Sequence, residues 1–500
     1  MSITSTLTTI GAAGAGAGGG LSYWVNKATI TQDYGWQGTP GWIEYNQDYI
    51  VANAMENHVT AEDGGVFLVY DQDGNNLSKN SYFSNSSSSR KTETKSFFYD
   101  SGTGSWYSEN YGPSGTVQVL RYSDNSGLSV QWHVYGDGTN DSFPGEITSL
   151  SSTEIGFVSR GQLPSSTWNC PVYNIVNKSN GSSVARYPIG AYNYDYYPSA
   201  VAFEKYGSAL YGYIGFYYYQ SGLKGAVVKI NKSNGSIVWT KRLVYQSPYD
   251  YYSGRCVAIS PDDQGNVLLG FDFSSSNNPL ICLDSSGNVL WTRSSDSEII
   301  SIDWDNVNDR WLVLGNYGMG IHVLNRDGSN GARYEMNVSG ISLDMYYSNS
   351  GVSYDFENNI AYINANISGG DHKLIVKRPI DGSLDGTYGD YTLATTSSYI
   401  GTNYTAGYYV QNISSSKYSS PITYSFASCN VNSSIITSGG LSAVGIPPIS
   451  SQLPIRINVK SSGNLLNGAF GLFNKSMHCR VAVPSVSSTN GCIYVPDFLS

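Results

Sequence analysis

Charged residues are scarce in this sequence, and no cluster of basic residues occurs in it. The 500 residues include 28 Lys or Arg and 38 Asp or Glu, which is 13% of the chain and gives a net charge of −10. An average soluble chain is about 25% charged. The acidic balance argues against wrapping nucleic acid or docking on anionic lipid, because both roles need a basic surface.

Long apolar runs are also absent, and no segment reaches the roughly 18 residues expected of a transmembrane helix. The first twenty residues, MSITSTLTTIGAAGAGAGGG, contain no Lys or Arg and no sustained Leu/Val/Ile core. Export through a signal peptide is therefore not expected. The Gly/Ala tract over residues 11–20 is typical of a flexible segment. We predict that residues 1–20 form an N-terminal tail.

The sequence offers few residues for metal or nucleophilic chemistry. Its 6 cysteines include no CxxC pair, and its 5 histidines form no HxH or HExxH pattern. A zinc site is therefore disfavoured. Neither a GxSxG elbow nor a GxxxxGK[ST] loop is present. The Asp71-Gln-Asp73-Gly74 segment begins like a calcium loop but lacks the Glu at the twelfth loop position. We expect no cofactor and no bound metal.

Strand-forming and turn-forming residues dominate what is there. The chain has 42 Tyr and 55 Gly, and it is rich in Val, Ile, Thr, Asn and Ser. Aromatic and β-branched residues favour strands. With 40% hydrophobic residues the chain can bury a large core. The composition therefore predicts an all-β protein.

An internal repeat is the most informative feature of the sequence. Seven times an apolar strand runs into an Asn/Asp/Ser-rich turn that ends in glycine, as in AVVKI before Gly235, and Gly supplies the positive φ that tight turns need. Successive turn glycines are 41 to 54 residues apart. The seven are Gly74, Gly127, Gly181, Gly235, Gly287, Gly328 and Gly382.

Additional strands surround these turns. A strand follows several of the glycines, and further upstream strands include SAVAFEK from Ser199, CVAIS from Cys256 and IISIDWD from Ile299. Four short strands per repeat of this length are typical of a β-propeller blade. We predict a seven-bladed β-propeller over residues 21–437 and a small C-terminal β extension over residues 438–500. The N-terminal strand LSYWVNKATIT is predicted to take part in closing the ring.

Two repeats resemble those of quinoprotein-type (PQQ-like) propellers. In GAVVKINKSNGSIVWTKRL and LICLDSSGNVLWTRS a strand is followed by Asn231 or Asp284, then by a turn glycine, and then by Trp239 or Trp291 four residues after the glycine. The resemblance implies a propeller fold. Quinoprotein dehydrogenases also need cofactor-stacking and calcium-binding residues, and none maps onto this sequence, so the resemblance implies the fold and not the activity.

Tyrosine is the strongest compositional anomaly and supplies the candidate binding residues. The segment AYNYDYYP breaks the alternation of a strand and lies in a connection between blades. Tyrosine has a rigid apolar ring with a polar tip, which suits interfaces and sugar-like ligands. We predict that Tyr192, Tyr194, Tyr196 and Tyr197 line a binding surface. Tyr211 to Tyr219 lie inside a predicted strand and are expected to fill it.

Acidic residues raise an enzymatic alternative, since a propeller hydrolase could gather two carboxylates from different blades at one end of its axis. Most of these acids are expected to shape turns instead. The conceivable members are Asp195, Glu204, Asp303, Asp305, Asp344 and Asp355.

The composition and the termini suggest a biological setting. The opening STLTTIGAAGAGAGGG followed by LSYWV resembles the N-termini of structural proteins of marine tailed phages. We therefore expect a non-enzymatic virion protein, a decoration or host-attachment module anchored to other virion proteins by its tail, with a host surface glycan as a second partner. The alternatives are a tail hub or nozzle component, a carbohydrate-active hydrolase or lyase acting on surface polysaccharide, and a quinoprotein relative. We expect neither sequence-specific nucleic-acid binding nor membrane insertion.

Overall fold

The computed structural model describes most of the chain up to residue 397 and a few short strands beyond it. The described residues are 5–10, 23–29, 42–57, 63–84, 93–111, 117–136, 146–162, 169–190, 195–219, 223–245, 252–272, 278–295, 297–315, 319–338, 343–344, 351–367, 372–388, 391–397, 408–412, 416–417, 431–435, 470–474 and 477–481. Within these ranges no helix is long and apolar enough to cross a membrane.

The described strands divide into seven successive antiparallel blades. The N-terminal strands and blades 1 to 3 comprise β1 (Ser5–Ile10), β2 (Tyr23–Thr29), β3 (Ile43–Tyr45), β4 (Tyr49–Asn57), β5 (Asp63–Asp71), β6 (Asn76–Ser84), β7 (Glu93–Asp100), β8 (Ser105–Tyr111), β9 (Val117–Ser123), β10 (Val130–Gly136), β11 (Thr148–Ser149), β12 (Glu154–Gln162), β13 (Asn169–Asn177) and β14 (Ser183–Gly190). Blades 4 to 6 comprise β15 (Tyr196–Phe203), β16 (Tyr211–Tyr219), β17 (Leu223–Asn231), β18 (Ile237–Tyr245), β19 (Tyr252–Ser253), β20 (Arg255–Pro261), β21 (Val267–Asp272), β22 (Asn278–Leu283), β23 (Val289–Ser295), β24 (Ile299–Asp305), β25 (Arg310–Gly315), β26 (Ile321–Asn325) and β27 (Asn330–Val338). Blade 7 and the C-terminal strands comprise β28 (Leu343–Asp344), β29 (Val352–Asp355), β30 (Ile360–Ile367), β31 (His372–Pro379), β32 (Gly386–Tyr388), β33 (Tyr391–Ser397), β34 (Tyr408–Asn412), β35 (Ser416–Lys417), β36 (Val431–Ile435), β37 (Phe470–Asn474) and β38 (Met477–Val481).

The blades close into a ring around a central axis. The first strand of each blade, or the residues beside it, lines one common cavity, and the first strand of blade 7 contacts the first strand of blade 1. Hydrophobic clusters join every pair of neighbouring blades, and the largest runs through blades 6, 7 and 1. The chain is therefore a seven-bladed β-propeller, which confirms the predicted fold class.

The repeated glycines lie in the turns that follow the third strand of each blade. Six of the seven have a positive φ, between 61° at Gly235 and 83° at Gly74. Gly127 is the exception, because there the left-handed residue is its neighbour Leu128, with a φ of 44°. The predicted turn is present, but its residue with a positive φ lies one position after the glycine.

Blade 7 takes its outer strand from the N-terminus of the chain. Strand β2 pairs antiparallel with β31, with Trp24 opposite Lys377. Strand β1 pairs in turn with β2, so Ser5–Ile10 of the predicted tail lies along the outer edge of blade 7. The Gly/Ala tract of residues 11–20 lies outside the described residues.

A recurring tryptophan contact links the outer strand of one blade to the turn of the next. The indole N–H of Trp239 donates to the Ser285 carbonyl at 3.1 Å, and that of Trp291 donates to the Arg326 carbonyl at 2.9 Å. In the same way, the indole N–H of Trp132 in blade 2 donates to the Lys178 carbonyl of blade 3 at 2.8 Å. The Trp that marked two repeats in the sequence therefore stabilises the contact between neighbouring blades.

C-terminal strands extend the outer edges of several blades. Strand β33 pairs with β27 of blade 6, β34 with β18 of blade 4, β35 with β14 of blade 3 and β36 with β6 of blade 1. Strands β37 and β38 form a separate hairpin. The predicted boundary of a C-terminal extension at residue 438 stays a prediction.

Candidate functional site

The structure places two features on the ring where a ligand could bind. One is the axial cavity, which lies among the first strands and the turns that follow them. The other is the tyrosine cluster, formed by Tyr197, Tyr217 and Tyr219 of blade 4. Strand β15 runs between the two: Tyr197 is near its start, and Phe203 at its end borders the cavity. Val201 is the first residue of this strand to line the cavity, so at about 3.3 Å per residue the two sites are roughly 13 Å apart along the strand.

The axial cavity is large and carries charged groups from several blades. Its volume is about 1230 Å³. Glu44 comes from β3 of blade 1, Glu146 precedes β11 of blade 3, Lys205 follows β15 of blade 4, and Asp303 lies on β24 of blade 6. These four positions are far apart in the sequence, and closure of the ring brings them to one cavity. Glu44, Glu146 and Lys205 were missed as a site in the sequence analysis.

Glu146 and Lys205 form an ion pair at the cavity wall. The Lys205 Nζ lies 2.7 Å from Glu146 Oε1, with 57% of the lysine side chain exposed. The other carboxylate oxygen, Oε2, accepts the backbone N–H of Phe203 at 3.0 Å. Both oxygens of Glu146 are therefore engaged, and its negative charge raises the pKa of Lys205.

Glu44 and Asp303 are held differently, by neutral donors. Glu44 Oε1 accepts the backbone N–H of Tyr45 at 3.1 Å and the hydroxyl of Ser353 at 3.3 Å. Asp303 Oδ2 accepts the hydroxyl of Ser301 at 2.8 Å. Burial raises the pKa of Glu44 to about 7 and that of Asp303 to about 6, and the charge of Lys205 only partly opposes the shift in each case.

Aromatic side chains supply much of the remaining cavity wall. Tyr45 stacks on Tyr362 with ring centroids 4.6 Å apart, and its hydroxyl donates to the Tyr354 carbonyl at 3.1 Å across the joint between blades 1 and 7. Phe98 and Tyr206 also face this space. The wall thus combines aromatic rings with charged groups.

The tyrosine cluster contains one of the four tyrosines predicted to bind a ligand. Tyr197 lies opposite Tyr217 in the sheet, and their rings stack 5.0 Å apart at 15°. Tyr219 stands nearly perpendicular to both, at 80° and 87°, and is 62% exposed. The guanidinium carbon of Arg160, from blade 3, lies 4.3 Å from the centre of the Tyr197 ring.

Of the other predicted tyrosines, Tyr196 alone is among the described residues, and it lies in the core. Tyr196 is only 7% exposed and packs edge-on against Phe216 in the core between blades 3 and 4. Its side chain alternates with that of Tyr197 along the strand, which turns it inward. Tyr192 and Tyr194 lie outside the described residues. Tyr217 and Tyr219, which were expected only to fill a strand, have partly and largely exposed rings.

Four of the six candidate acids do not belong to the cavity or cannot be placed in it. Glu204 accepts the backbone N–H groups of Leu210 and Tyr211, both at 3.1 Å. Asp305 accepts two turn N–H groups and pairs with Arg310 at 2.7 Å. Asp195 accepts the backbone N–H of Asn169 at 2.7 Å. The expected turn role is thus confirmed for Glu204 and Asp305. The side chain of Asp344 lies outside the described residues.

Comparison with known proteins finds similar chains among solved structures alone. No protein family and no curated protein matches the chain. It is similar to the β-propeller domain of Cps50 (Swd1) from Myceliophteria thermophila, at 10% identity, with 69% of this chain and 99% of that domain covered and a TM-score of 0.44.

Two solved structures of the COPII coat on membranes also contain similar chains. For the assembled coat the identity is 9% and the TM-score 0.44, with 80% of this chain and 49% of the other covered, so this chain spans about half the length of that one. For the outer coat vertex the identity is 9%, the TM-score 0.44, and the coverage 80% and 89%. These similarities concern the fold alone.

Proposed function

We propose that this chain is a non-enzymatic attachment module that binds a neutral surface glycan through the tyrosine cluster. The exposure of Tyr219 beside two further rings carries the proposal. Phenol rings offer flat apolar faces for a pyranose ring, and their hydroxyls can exchange hydrogen bonds with sugar hydroxyls. A tyrosine loses little conformational entropy on binding, which favours it at recognition surfaces.

The charges around the tyrosine cluster support a neutral ligand. Arg255 of blade 5 is paired with Asp272 at 3.1 Å, and the Arg160 side chain is largely buried against Tyr197. Both guanidinium groups are therefore engaged by side chains of the chain itself, and the exposed part of the cluster consists of rings and polar tips.

The binding test uses the full chain on an array of neutral glycans. We expect Tyr219→Ala to lower the affinity at least tenfold, because it removes the most exposed ring. Tyr219→Phe should retain most of the binding, since it keeps the ring. Leu290→Ala is the matched control, because Leu290 is also exposed, at 52%, but lies in blade 5 on β23. Equal binding by wild type and Tyr219→Ala would overturn the proposal.

We further propose that the setting is a virion, with the N-terminal segment as the anchor. The geometry of blade 7 supports this, because β1 and β2 lie at the outer edge of that blade, beyond β31 and β30. Deleting residues 1–20 removes β1 but leaves the pairing of β2 with β31. The truncated protein should therefore fold yet fail to enter particles. Normal incorporation of the truncated protein into particles would contradict the anchor role.

A hydrolase or lyase acting on polysaccharide is the second candidate, favoured by the convergence of Glu44, Glu146 and Asp303 on one cavity. A glycosidase needs one protonated and one ionised carboxyl group near the scissile bond. The engagement of both Glu146 oxygens argues against its use as a nucleophile. New reducing ends or unsaturated sugars released by wild type but not by Glu44→Gln would establish this candidate in place of simple binding.

A further inference from the structure

The exposed aliphatic side chains of the ring lie on one of its two faces. In each blade the turns after the first and third strands meet at the same end; in blade 4, for example, the backbone N–H of Lys232 donates to the Leu210 carbonyl at 2.9 Å. We call this end of the ring the turn face. Within the described ranges, every exposed large aliphatic residue lies in these turns or among the first two residues of the strand that follows. The seven are Leu77, Val184, Leu210, Val238, Val289, Leu290 and Val307.

Four of these residues form a patch on the neighbouring blades 4 and 5. The turns that carry them are in contact, because the indole of Trp239, next to Val238, donates to the Ser285 carbonyl of blade 5 at 3.1 Å. Exposed apolar surface that is grouped in this way marks an interaction site, whereas single scattered residues do not. The turn-face patch consists of Leu210, Val238, Val289 and Leu290, which are 43% to 52% exposed.

The turn face is acidic as well as apolar. The turns after the first strand of all seven blades and after the third strand of blades 1 to 6 contain ten Asp or Glu and four Lys or Arg. Two copies of the chain would repel each other across this face, because like charges would be brought together. The occupant that fits the turn face is therefore apolar and carries positive charge.

The chain itself contains a segment of this composition. Between Asp390 and Asp497 it has five Lys or Arg and no Asp or Glu. The hairpin of β37 and β38 lies in this segment, and six of its ten strand residues are Phe, Leu, Met, Cys or Val. Arg480 is on β38, and Lys475 lies between the two strands.

This hairpin needs a surface on which to pack. It pairs with no further strand in the described part of the chain. A two-stranded hairpin alone in water is at best marginally stable, so it requires contact with another element.

The route of the chain brings the hairpin toward the turn face. Strand β36 is antiparallel to β6, with Ile435 opposite Asn80. Because β6 begins at the turn face, β36 runs toward that face. The 34 residues between Ile435 and Phe470 span about 110 Å when extended. A compact chain of this length is roughly 60 Å across. The hairpin can therefore reach blades 4 and 5 of its own ring.

We propose that the β37–β38 hairpin docks on the turn-face patch of its own chain. Its apolar residues cover the four exposed aliphatic side chains, and the surrounding turns supply Asp284 and Asp327 as partners for Lys475 and Arg480. The turn face is then occupied, whereas the opposite face, where Tyr219 ends β16, stays open to a ligand. The two sites lie on opposite faces, so this proposal and the glycan proposal can fail independently.

The first test is carbodiimide cross-linking of the full chain, which joins a lysine amine directly to a carboxylate in contact with it. An equal mixture of ¹⁵N-labelled and unlabelled chains is treated and analysed by mass spectrometry. We expect Lys475 to be joined to a carboxylate of the turn face within one chain. The proposal is overturned if Lys475 gives no such product, or if its products join labelled to unlabelled chains, which would assign the hairpin to a second copy.

The second test measures the affinity of the hairpin for the ring. A protease site inserted after Gly440 of the full chain allows the C-terminal fragment to be cut after folding, and its retention is followed by size-exclusion chromatography on dilution. We expect the fragment to stay bound and Leu210→Ser combined with Val238→Ser to weaken its affinity at least tenfold. Lys475→Glu combined with Arg480→Glu should weaken it at least threefold at low salt.

Tyr219→Ser is the matched control, because Tyr219 is 62% exposed in the same blade but lies at the opposite face. This variant should retain the fragment as wild type does. Immediate release of the wild-type fragment, equal retention by the Leu210/Val238 variant, or an equal loss in Tyr219→Ser would overturn the proposal. If the double variant does not fold, Leu290→Ser decides the question, with a loss of at least threefold expected.

Discussion

The indole N–H of Trp24 donates to the backbone carbonyl of Gln72 at 3.2 Å and so joins the last blade of the ring to the first. Trp24 lies on β2, the strand that the N-terminus contributes to blade 7, and Gln72 lies in the turn of blade 1 that ends at Gly74. This is the contact that Trp239 and Trp291 make between blades in the middle of the chain. The ring is thus closed by the same interaction that repeats within it.

Removing this closing side chain should destabilise the whole ring. Trp24 is 0% exposed, so Trp24→Ala is expected to lower the free energy of unfolding by about 3–5 kcal/mol. Trp24→Phe keeps most of the apolar contact and should cost less, about 1–3 kcal/mol, chiefly through the lost hydrogen bond. Urea denaturation followed by fluorescence measures both. A loss below about 0.5 kcal/mol for Trp24→Ala would show that β2 does not hold the ring closed.

The buried ion pair between blades 2 and 3 makes a second prediction. Lys178 Nζ lies 2.6 Å from Asp100 Oδ2, with side-chain exposures of 4% and 6%. Lys178→Met leaves the buried Asp100 carboxylate without its ion-pair partner. It should lower the free energy of unfolding by about 3–5 kcal/mol. Combining it with Asp100→Leu should recover much of that loss. The matched control is Lys205→Met, because the Lys205–Glu146 pair has a similar length but is more accessible to water, with the lysine 57% and the glutamate 21% exposed. Its loss should lower the free energy of unfolding by at most about 1 kcal/mol.

Equal losses for Lys178→Met and Lys205→Met, measured in the same denaturation experiment, would contradict the distinction between the buried and the exposed pair.

Two glycines with similar φ values allow the effect of backbone strain on stability to be distinguished from the effect of steric crowding. Gly235 has a φ of 61°, and an added Cβ would lie 2.5 Å from the Tyr187 ring of the neighbouring blade. Gly104 has a φ of 57°, but an added Cβ would meet nothing within 4 Å. Gly104→Ala should therefore lower the free energy of unfolding by about 1 kcal/mol, because it adds only the strain of a left-handed backbone at a non-glycine residue. Gly235→Ala should cost at least 1 kcal/mol more, because the blades must also move apart.

The thermal midpoints of the two variants test this comparison. Equal shifts would mean that the turn of blade 4 does not depend on its close contact with Tyr187.

The cavity carboxylates predict a pH dependence of stability. Burial raises the pKa of Glu44 from 4.5 to about 7 in the fold, although the charge of Lys205 lowers it; the charge of Glu146 adds to the rise. The folded chain therefore binds more protons than the unfolded chain between these values. The stability from this group is fully present below pH 4.5 and is lost as the pH rises through 7. Glu44→Gln should remove that loss.

The measurement is the thermal midpoint of wild type and Glu44→Gln from pH 5 to pH 8. The variant should gain on wild type as the pH rises, and Asp303→Asn should do so over a lower range because the pKa of Asp303 is about 6. A constant difference between variant and wild type at every pH would contradict the assignment.

The repeat could be predicted from the sequence because each blade carries its own local signal. The third strand and its glycine turn recur in all seven blades, and the apolar residues before Gly235 and Gly287 indicate the buried strands directly. The strand that completes blade 7 could be recognised as a strand. Its partner β31 is more than 300 residues away, and pairing over such a distance leaves no local pattern.

The axial cavity was harder to predict for the same reason. Glu44, Lys205 and Asp303 each lie on or just after a short first strand, in the segments WIEYN, SAVAFEK and IISIDWD. A charged residue at that place in several blades is a usable signal once the blades are aligned by their first strands. When the blades are aligned by the later glycine turn, this signal is not visible, and of these three residues only Asp303 was among the candidate acids.

The tyrosine pattern was informative in part. Alternation along a strand places Tyr196 and Tyr197 on opposite faces, but the sequence does not show which face meets the neighbouring blade. The structure turns Tyr196 into the core and leaves Tyr197 beside Tyr217 and Tyr219. The pairing of β15 with β16 sets this arrangement.

The most direct test of the attachment role is a structure of the full chain with the neutral glycan that binds it best on the array. We expect a pyranose ring stacked on Tyr219, with contacts to Tyr217 or Tyr197 and none in the axial cavity. A glycan bound among Glu44, Glu146 and Asp303 would contradict the binding role of the tyrosine cluster, and cleavage of a glycan there would establish the chain as an enzyme.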